Sequence, residues 1–397
     1  MKKYEDIVKN ILEKVNHYNS LAIGYPTNRG HAFNINKNLL QEFSNTYYNS
    51  LLGHNDEIIK IEPIVIKMLA NHFNVDDSNF FGYISSGGTE ASFSCLWWHR
   101  KFLSYTCNKM PVLISSKSSH YSIDKIAEQL AMEGIKINPD SNDQMDLKEL
   151  EEVLKSTDAP VIVSSNLGYT VKGGIDNIQE IYNLLNKYKK NQYKLHIDGA
   201  VYGIIAPYLL QFKNINSIFD IADSLTFSGH KFLGTYNITG VALTKTNYIE
   251  DSFYHINTMK DVQYLKRDEY RDFTFSGSRQ SEFAVEIYML LNEAFKLEGE
   301  NTALENLWNS CLETTEWFIT ELKSILTLEQ QKDLIHIKGQ LAMLLPLPSS
   351  KEAQDYMYKK YELMFVSESQ CGVYIFPSRT REILNIFLED YRKIWDV

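Results

Sequence analysis

The chain has 397 residues, 44% of them hydrophobic, enough for one large α/β domain and a smaller one with buried cores. Its formal net charge of −10 excludes a general nucleic-acid binder, which needs a basic stripe, and its longest apolar run, Leu341 to Leu347, is far too short to span a membrane. Four cysteines, Cys95, Cys107, Cys311 and Cys371, lie far apart without CxxC spacing or partnered histidines, so they read as free thiols of a reducing cytoplasm and not as disulfides or metal ligands.

Residues 1–55 read as an N-terminal arm, with Ile7, Val8, Ile11, Leu12 and Val15 predicting an amphipathic helix over residues 4–15. No apolar block follows Met1-Lys2-Lys3 to act as a secretory h-region, so a cytoplasmic location is expected. Residues 56–281 form the expected large domain, in which helical stretches alternate with short β-branched runs at Pro111–Ser115, Pro160–Ser164, Lys194–Asp198, Ser224–Ser228 and Thr239–Thr244. That alternation predicts the α/β class, a mostly parallel central sheet wrapped by helices. The charged, aromatic segment between Tyr254 and Arg279 reads equally as a mobile lid or a surface connection. Residues 282–397 are expected to be a small α+β domain, with a long helix from Glu282 to Lys323 and strands near Ile335–Lys338, Gln340–Leu345 and Gly372–Phe376.

The chemistry-bearing residues fall at the ends of the apolar runs. Tyr83-Ile84-Ser85-Ser86-Gly87-Gly88-Thr89-Glu90 places two glycines and small hydroxyl residues before a helix over Ala91–Phe102, and the backbone N–H groups there suit a phosphate. Ser119-His120-Tyr121-Ser122 follows the first run, so that a flat imidazole can lie on a ring, and Asn166-Leu167-Gly168-Tyr169-Thr170 follows the second. His196-Ile197-Asp198-Gly199-Ala200 is then followed by Ser228-Gly229-His230-Lys231-Phe232-Leu233-Gly234. An acid closing an apolar stretch and a later Ser-x-His-Lys suit pyridoxal 5′-phosphate: Lys231 would carry it as a Schiff base and Asp198 would keep its pyridine nitrogen protonated. Each signal alone has an ordinary alternative: a turn for Gly87-Gly88, a core or solvated histidine for His120, a structural cap for Asp198, a solvated lysine for Lys231. Their conjunction, in one order and each at the end of a β-like run, favours the cofactor site.

With these motifs in place the chain resembles the group II pyridoxal-phosphate-dependent amino acid decarboxylases, and within them the bacterial histidine decarboxylases and plant serine decarboxylases. The resemblance is carried by Ser-Gly-Gly-Thr-Glu, Ser-His-Tyr-Ser, Asn-x-Gly-x-Thr-x-x-Gly-x-Ile-Asp-Asn, His-x-Asp-x-Ala and Ser-Gly-His-Lys, and runs from Ile23-Gly24-Tyr25-Pro26 to Phe387-Leu388-Glu389-Asp390. It implies the type I pyridoxal-phosphate transferase fold, a homodimer, and decarboxylation of an amino acid with histidine the leading substrate. It also implies that His120 and Ala200 cover the two ring faces, that Ser86, Gly87, Gly88, Ser228 and His230 serve the phosphate, that Thr170 lies near the ring oxygen, and that Tyr25 and Pro26 lie near the substrate. The chain departs from the histidine decarboxylase pattern where Ser276-Gly277-Ser278-Arg279 continues Gln280-Ser281-Glu282 in place of Asn-Gly-His, and where Gly199-Ala200 replaces Ala-Ala. His255 to Asp272 is also longer and more charged than the family segment. These departures keep open another pyridoxal-phosphate reaction, such as a different substrate, aldol-type cleavage, decarboxylation-dependent oxidation or transamination. A non-enzymatic role is disfavoured by the intact Lys231, Asp198 and His120. Glu282 and Glu286 would suit a cationic side chain but read equally as solvent-facing helix carboxylates, and Tyr264, Tyr270 and His120 are candidate proton donors by type.

Overall fold

The computed structural model describes residues 7–9, 21–28, 30–41, 43, 47–49, 60–246 and 273–395. Most of the helix expected over 4–15, and most of the segment from 254 to 279 with Tyr264 and Tyr270, lie outside these residues; residues 7–9 are helical.

Seven strands form the central sheet: β1 (Phe80–Ser85), β2 (Val112–Ser116), β3 (Gly134–Ile137), β4 (Val161–Asn166), β5 (Tyr193–Asp198), β6 (Ser224–Ser228) and β7 (Gly240–Lys245). Their order is β1-β7-β6-β5-β4-β2-β3. β7 runs antiparallel to both neighbours, and every other pairing is parallel. β2, β4 and β6 are buried along their whole length, which is why they read as continuous β-branched and apolar runs. β3 was not expected, because Gly134-Ile135-Lys136-Ile137 is short, partly exposed and charged. The parallel strands all point their carboxyl ends at one rim, so the loops after β1, β2, β4, β5 and β6 converge there.

Helices cover both faces. On one, α1 (Ile61–His72) joins the large apolar core through Val65 and Leu69. On the other, α2 (Gly88–Cys107) and α3 (Ser122–Gln129) pack Leu96, Leu103, Ile123 and Ile126 against Leu113 and Ile162 of the sheet. α4 (Leu147–Ser156) is capped by Asp146, whose carboxylate accepts from the N–H groups of Lys148 and Glu149, and α5 (Ile178–Lys189) is capped by Asn177.

The single helix expected from Glu282 to Lys323 is two. α6 (Ser281–Ala294) ends before a hairpin of Leu297–Glu298 and Asn301–Thr302, turned by Gly299 at φ +76°, and Thr302 caps α7 (Ala303–Ile325). The left-handed turn at glycine breaks a pattern whose apolar spacing continues on both sides. α6 places Ile287 and Leu290 in the large core, and α7 crosses between cores, with Leu304 and Trp308 in the large one and Phe318 and Leu322 in a second. The hydrophobic cores therefore divide within α7.

The second core belongs to a four-stranded antiparallel sheet, order β8-β9-β11-β10, of β8 (Ile335–His336), β9 (Ala342–Pro346), β10 (Met364–Ser367) and β11 (Gln370–Tyr374), covered by α8 (Lys351–Tyr361) and α9 (Arg381–Trp395). A strap of residues 21–28 and 30–32 joins the two parts. Ile23 bonds Tyr361 and Tyr374 of the small part, while the Asn28 N–H reaches the carbonyls of His230 (3.3 Å) and Lys231 (3.2 Å), and the Ala32 N–H that of Leu233 (2.9 Å). Among the described residues no helix is long and apolar enough to cross a membrane.

Candidate active site

Where the loops converge lies a cavity of about 710 Å³, within the size range of small-molecule sites. Ten of the residues singled out in the sequence line it: Ser86, Gly87, Gly88, His120, Thr170, Asp198, Ala200, Ser228, His230 and Lys231.

One end of the cavity is built by α2. Gly87 is its N-cap, at φ +151°, and has no side chain to satisfy the first N–H groups of the helix, which remain available to a ligand. A Cβ on Gly240, at the start of β7, would stand 2.3 Å from the Gly87 carbonyl, so only glycine fits against that backbone, and one on Gly88 would stand 2.6 Å from Ser228 Oγ, so the loops after β1 and β6 lie in contact. Ser85 Oγ ties the turn down by donating to the carbonyls of Gly87 and Gly240 at 2.9 and 3.0 Å. Ser86 itself is otherwise engaged. Its N–H (3.1 Å) and its hydroxyl both donate to Glu90 Oε2, the third residue of α2. The donors left for an anion are the helix N–H groups and Ser228, with His230 joining them only as an imidazolium.

His230 is pushed down to about 4, chiefly by burial and by the neighbouring Lys231. Its Nδ1 faces the Thr239 carbonyl at 3.3 Å, and a carbonyl only accepts, so Nδ1 carries the proton and Nε2 is the free nitrogen. Lys231 lies on the cavity wall, its amine held below its ordinary pKa by burial, with Asp198 opposing the shift. Desolvation of this kind increases the neutral, nucleophilic fraction of a lysine. Asp198 closes β5, only 6% exposed, and its Oδ1 accepts from the Ala200 N–H at 3.1 Å.

His120 is also shifted down, mainly by burial and further by Lys231 and Lys125, against the pull of Asp198. The Ser122 N–H points at His120 Nδ1 (3.3 Å), with the Ser122 hydroxyl at 2.8 Å. A backbone N–H can only donate, so Nδ1 is the acceptor and the neutral ring carries its proton on Nε2. The loop is fixed from behind by Ser119 Oγ, which donates to Asn166 Oδ1 at 3.0 Å. The Thr170 carbonyl and that of Tyr169 both accept from Tyr374 OH at 2.9 Å, which holds the β4 loop to the small part.

Three expected substrate residues are not brought to this cavity. Tyr25 is half exposed at 49% and Pro26 is buried in the strap, which passes behind the Lys231 backbone. Glu282, in the first turn of α6, accepts from Asn237 Nδ2 at 3.1 Å. Glu286 is not a solvent-facing carboxylate. It is fully buried and accepts from His31 Nε2 (2.7 Å) and from the Tyr236 N–H (2.6 Å), latching the strap to α6. The helical period gave no warning, because its partners lie in distant segments. Arg279 of the Ser-Gly-Ser-Arg motif is likewise structural: its guanidinium meets Glu62 at 2.7 Å, lies over the Tyr83 ring at 4.9 Å and donates to the Ser276 carbonyl at 2.7 Å.

Sequence reasoning missed Asn166 as the anchor of the His120 loop, although a polar residue closing a β-branched run was a usable signal. It also missed Phe93, Phe275 and Ile238 on the cavity wall, with the Phe93 and Phe275 rings 4.8 Å apart. No local pattern marks these three, since they come from separate segments.

Comparison with known proteins places this geometry. A family model, the pyridoxal-dependent decarboxylase conserved domain, matches residues 5–329. Curated relatives include a histidine decarboxylase of Solanum lycopersicum, 31% identical over 69% of this chain and 64% of its own length. A serine decarboxylase 2 of Oryza sativa subsp. japonica is 29% identical over 71% and 58%, and a tryptophan decarboxylase of Clostridium sporogenes 30% over 70% and 65%. The matched chain thus spans less than two thirds of the length of these relatives. The solved L-methionine decarboxylase of Streptomyces sp. 590 superposes with a TM-score of 0.78 at 17% identity, covering 99% of this chain and 95% of that one. That likeness establishes the expected α/β fold, the type I fold of pyridoxal-phosphate enzymes.

Proposed function

The chain belongs to the pyridoxal-dependent decarboxylase family, and from that premise we propose that it holds pyridoxal 5′-phosphate and releases carbon dioxide from an L-amino acid, leaving the amine. The observation that carries this reading is the desolvated Lys231 sharing one cavity wall with Asp198, His120 and the uncapped N-terminus of α2.

The residues present suit the cofactor. The α2 N–H groups, Ser228 and His230 would hold its phosphate, Asp198 its pyridine nitrogen, and Lys231 its aldehyde carbon. The bound cofactor supplies a protonated ring that accepts the electron pair left when the Cα–carboxylate bond breaks. The protein does the rest. Asp198, buried and fixed by the Ala200 N–H, would accept from the proton-bearing pyridine nitrogen. Lys231 offers an amine held below its ordinary pKa by burial, to take the cofactor and to release it when product leaves. His120 presents Nε2–H to the reacting face, where it can hold a carboxylate or return a proton to Cα.

Histidine is the first substrate to test, supported by the relatives in tomato and in Vibrio anguillarum, each named histidine decarboxylase. A second reading, an amino acid with an apolar side chain, is favoured by Phe93, Phe275 and Ile238 on the wall, with Glu282 turned to Asn237. Exposed Ile238, Phe275 and Tyr236 near the mouth support a homodimer that covers them, and the free thiols support the cytoplasm. Incubating cofactor-loaded protein with each amino acid in turn, and following carbon dioxide and amine by mass spectrometry, tests the function. Amine from one amino acid fixes the substrate, and Lys231→Ala must abolish both turnover and the visible absorbance of bound cofactor. Cofactor binding without loss of carbon dioxide from any amino acid would refute decarboxylation.

A further inference from the structure

Behind the cavity, Asp176 sits between β4 and α5 with no solvent exposure. Its Oδ1 accepts from the Met145 N–H at 2.7 Å, its Oδ2 from the Asn166 N–H at 2.8 Å, and both oxygens face Tyr169 OH at 3.0 and 2.8 Å. Two of these partners lead to the cavity. Asn166 accepts from Ser119, the neighbour of His120, and Tyr169 is the neighbour of Thr170. A second buried carboxylate, Asp143, 4% exposed, accepts from Ser118 Oγ of the same His120 loop at 2.7 Å.

We propose that Asp176 is a positioning residue: its carboxylate fixes Asn166 and Tyr169 of the loop that carries Thr170, and through Asn166, which accepts from Ser119, it steadies the loop that carries His120, so setting how both side chains meet the bound cofactor. The proposal rests on the cofactor reading above and adds a residue that touches neither cofactor nor substrate. A charged acceptor is needed because all the groups aimed at it are donors, and a neutral amide could satisfy only part of that set.

The buried charge comes at a cost. Burial, reinforced by Asp143, raises Asp176 to about 6 against the pull of its hydrogen bonds. Burial also raises Asp143, and the other titratable groups facing the pair are Tyr169, Tyr374, Asp140 and Lys172. A carboxylate raised above its ordinary 3.8 on folding is penalised when ionised. Its contribution therefore lets stability rise as pH falls from 7 through about 6, with the gain complete near 3.8.

Asp176→Asn, Tyr169→Phe and Ser119→Ala, compared with the parent as cofactor-loaded protein, test the idea. Tyr169→Phe keeps the carboxylate and its two backbone bonds, so it carries the test should the Asn variant fail to fold. Expected are changed circular dichroism of the bound cofactor at full occupancy and a fall in kcat of up to about 100-fold, the effect of a misplacement of about 1 Å, with KM nearly constant. Effects of Asp176→Asn and Ser119→Ala should be non-additive, since one acts through the other. In cofactor-free protein the stability of the parent relative to Asp176→Asn should increase as pH falls from 7 toward 3.8. Folded, saturated variants with parental dichroism and kcat would overturn the proposal and leave the function untouched. A parent protein that never binds the cofactor would instead overturn the functional reading, and this proposal with it.

Discussion

Replacing Gly88 with alanine should weaken cofactor binding by a specific route. The added Cβ would stand 2.6 Å from Ser228 Oγ, 0.8 Å inside the 3.4 Å at which ordinary contact begins. Gly88 does not adopt a left-handed conformation, so alanine fits its backbone and the collision is the whole of the problem. The Ser228 backbone is held by its N–H bond to the Ala200 carbonyl at 3.2 Å, so the collision is relieved either by turning Oγ to another rotamer, away from the cavity, or by parting the two segments. Overpacking of this kind costs about 1–3 kcal/mol. If it is relieved by parting the two segments proposed to hold the phosphate, the Kd for pyridoxal phosphate rises about 5- to 150-fold. Ser228→Ala alone removes one hydrogen bond to a charged group, about 1.5–3 kcal/mol. The double variant also lacks the colliding oxygen, so it should bind no worse than Ser228→Ala. The assay is equilibrium titration of cofactor-free protein, read by visible absorbance, in a double-mutant cycle. Losses that simply multiply in the double variant, or a Gly88→Ala protein that binds normally, would refute the packing argument.

Other expectations concern the surrounding structure. Glu62→Gln keeps an acceptor for the Ile84 N–H but strips Arg279 of its buried counter-charge, which should cost about 3–5 kcal/mol in denaturant unfolding; a loss under about 1 kcal/mol would show the pair to be dispensable. Asp390, bonded to Tyr356, Tyr361 and Lys360, is held well below the ordinary carboxylate range despite partial burial. Its stabilising effect is present above the ordinary pKa of 3.8 and is lost as pH falls through the lower folded value. Asp390→Asn should therefore lower the melting temperature at pH 7 more than in strong acid, and equal losses at both would contradict this. His230, at about 4 without an anion beside it, should titrate higher once phosphate is bound, because an anion favours the imidazolium. Histidine NMR with and without pyridoxal phosphate reads the shift, and an unmoved His230 would place the phosphate elsewhere.

The sequence alone determined the parts whose causes are local. β-branched runs become buried strands, and in a parallel sheet their carboxyl ends share one rim, so residues closing those runs, His120, Thr170, Asp198 and Lys231, had to meet wherever the strands paired. Gly87 and Gly88 were legible for the same reason, since a turn entering a helix leaves its N–H groups open. Tertiary structure alone decided what depends on partners far along the chain. Glu286 looked like a surface carboxylate until His31 and Tyr236 closed over it, and Glu62 and Arg279 pair across more than two hundred residues. Glu90 claims the Ser86 donors because the turn of α2 brings its carboxylate back over the loop. Phe93, Phe275 and Ile238 share a cavity wall only because α2, the stretch before Arg279 and the entry to β7 pack together. Periodicity reports which face of an element is apolar; which distant segment covers that face is set by packing, and packing is where the wall, the strap and the buried carboxylates were decided.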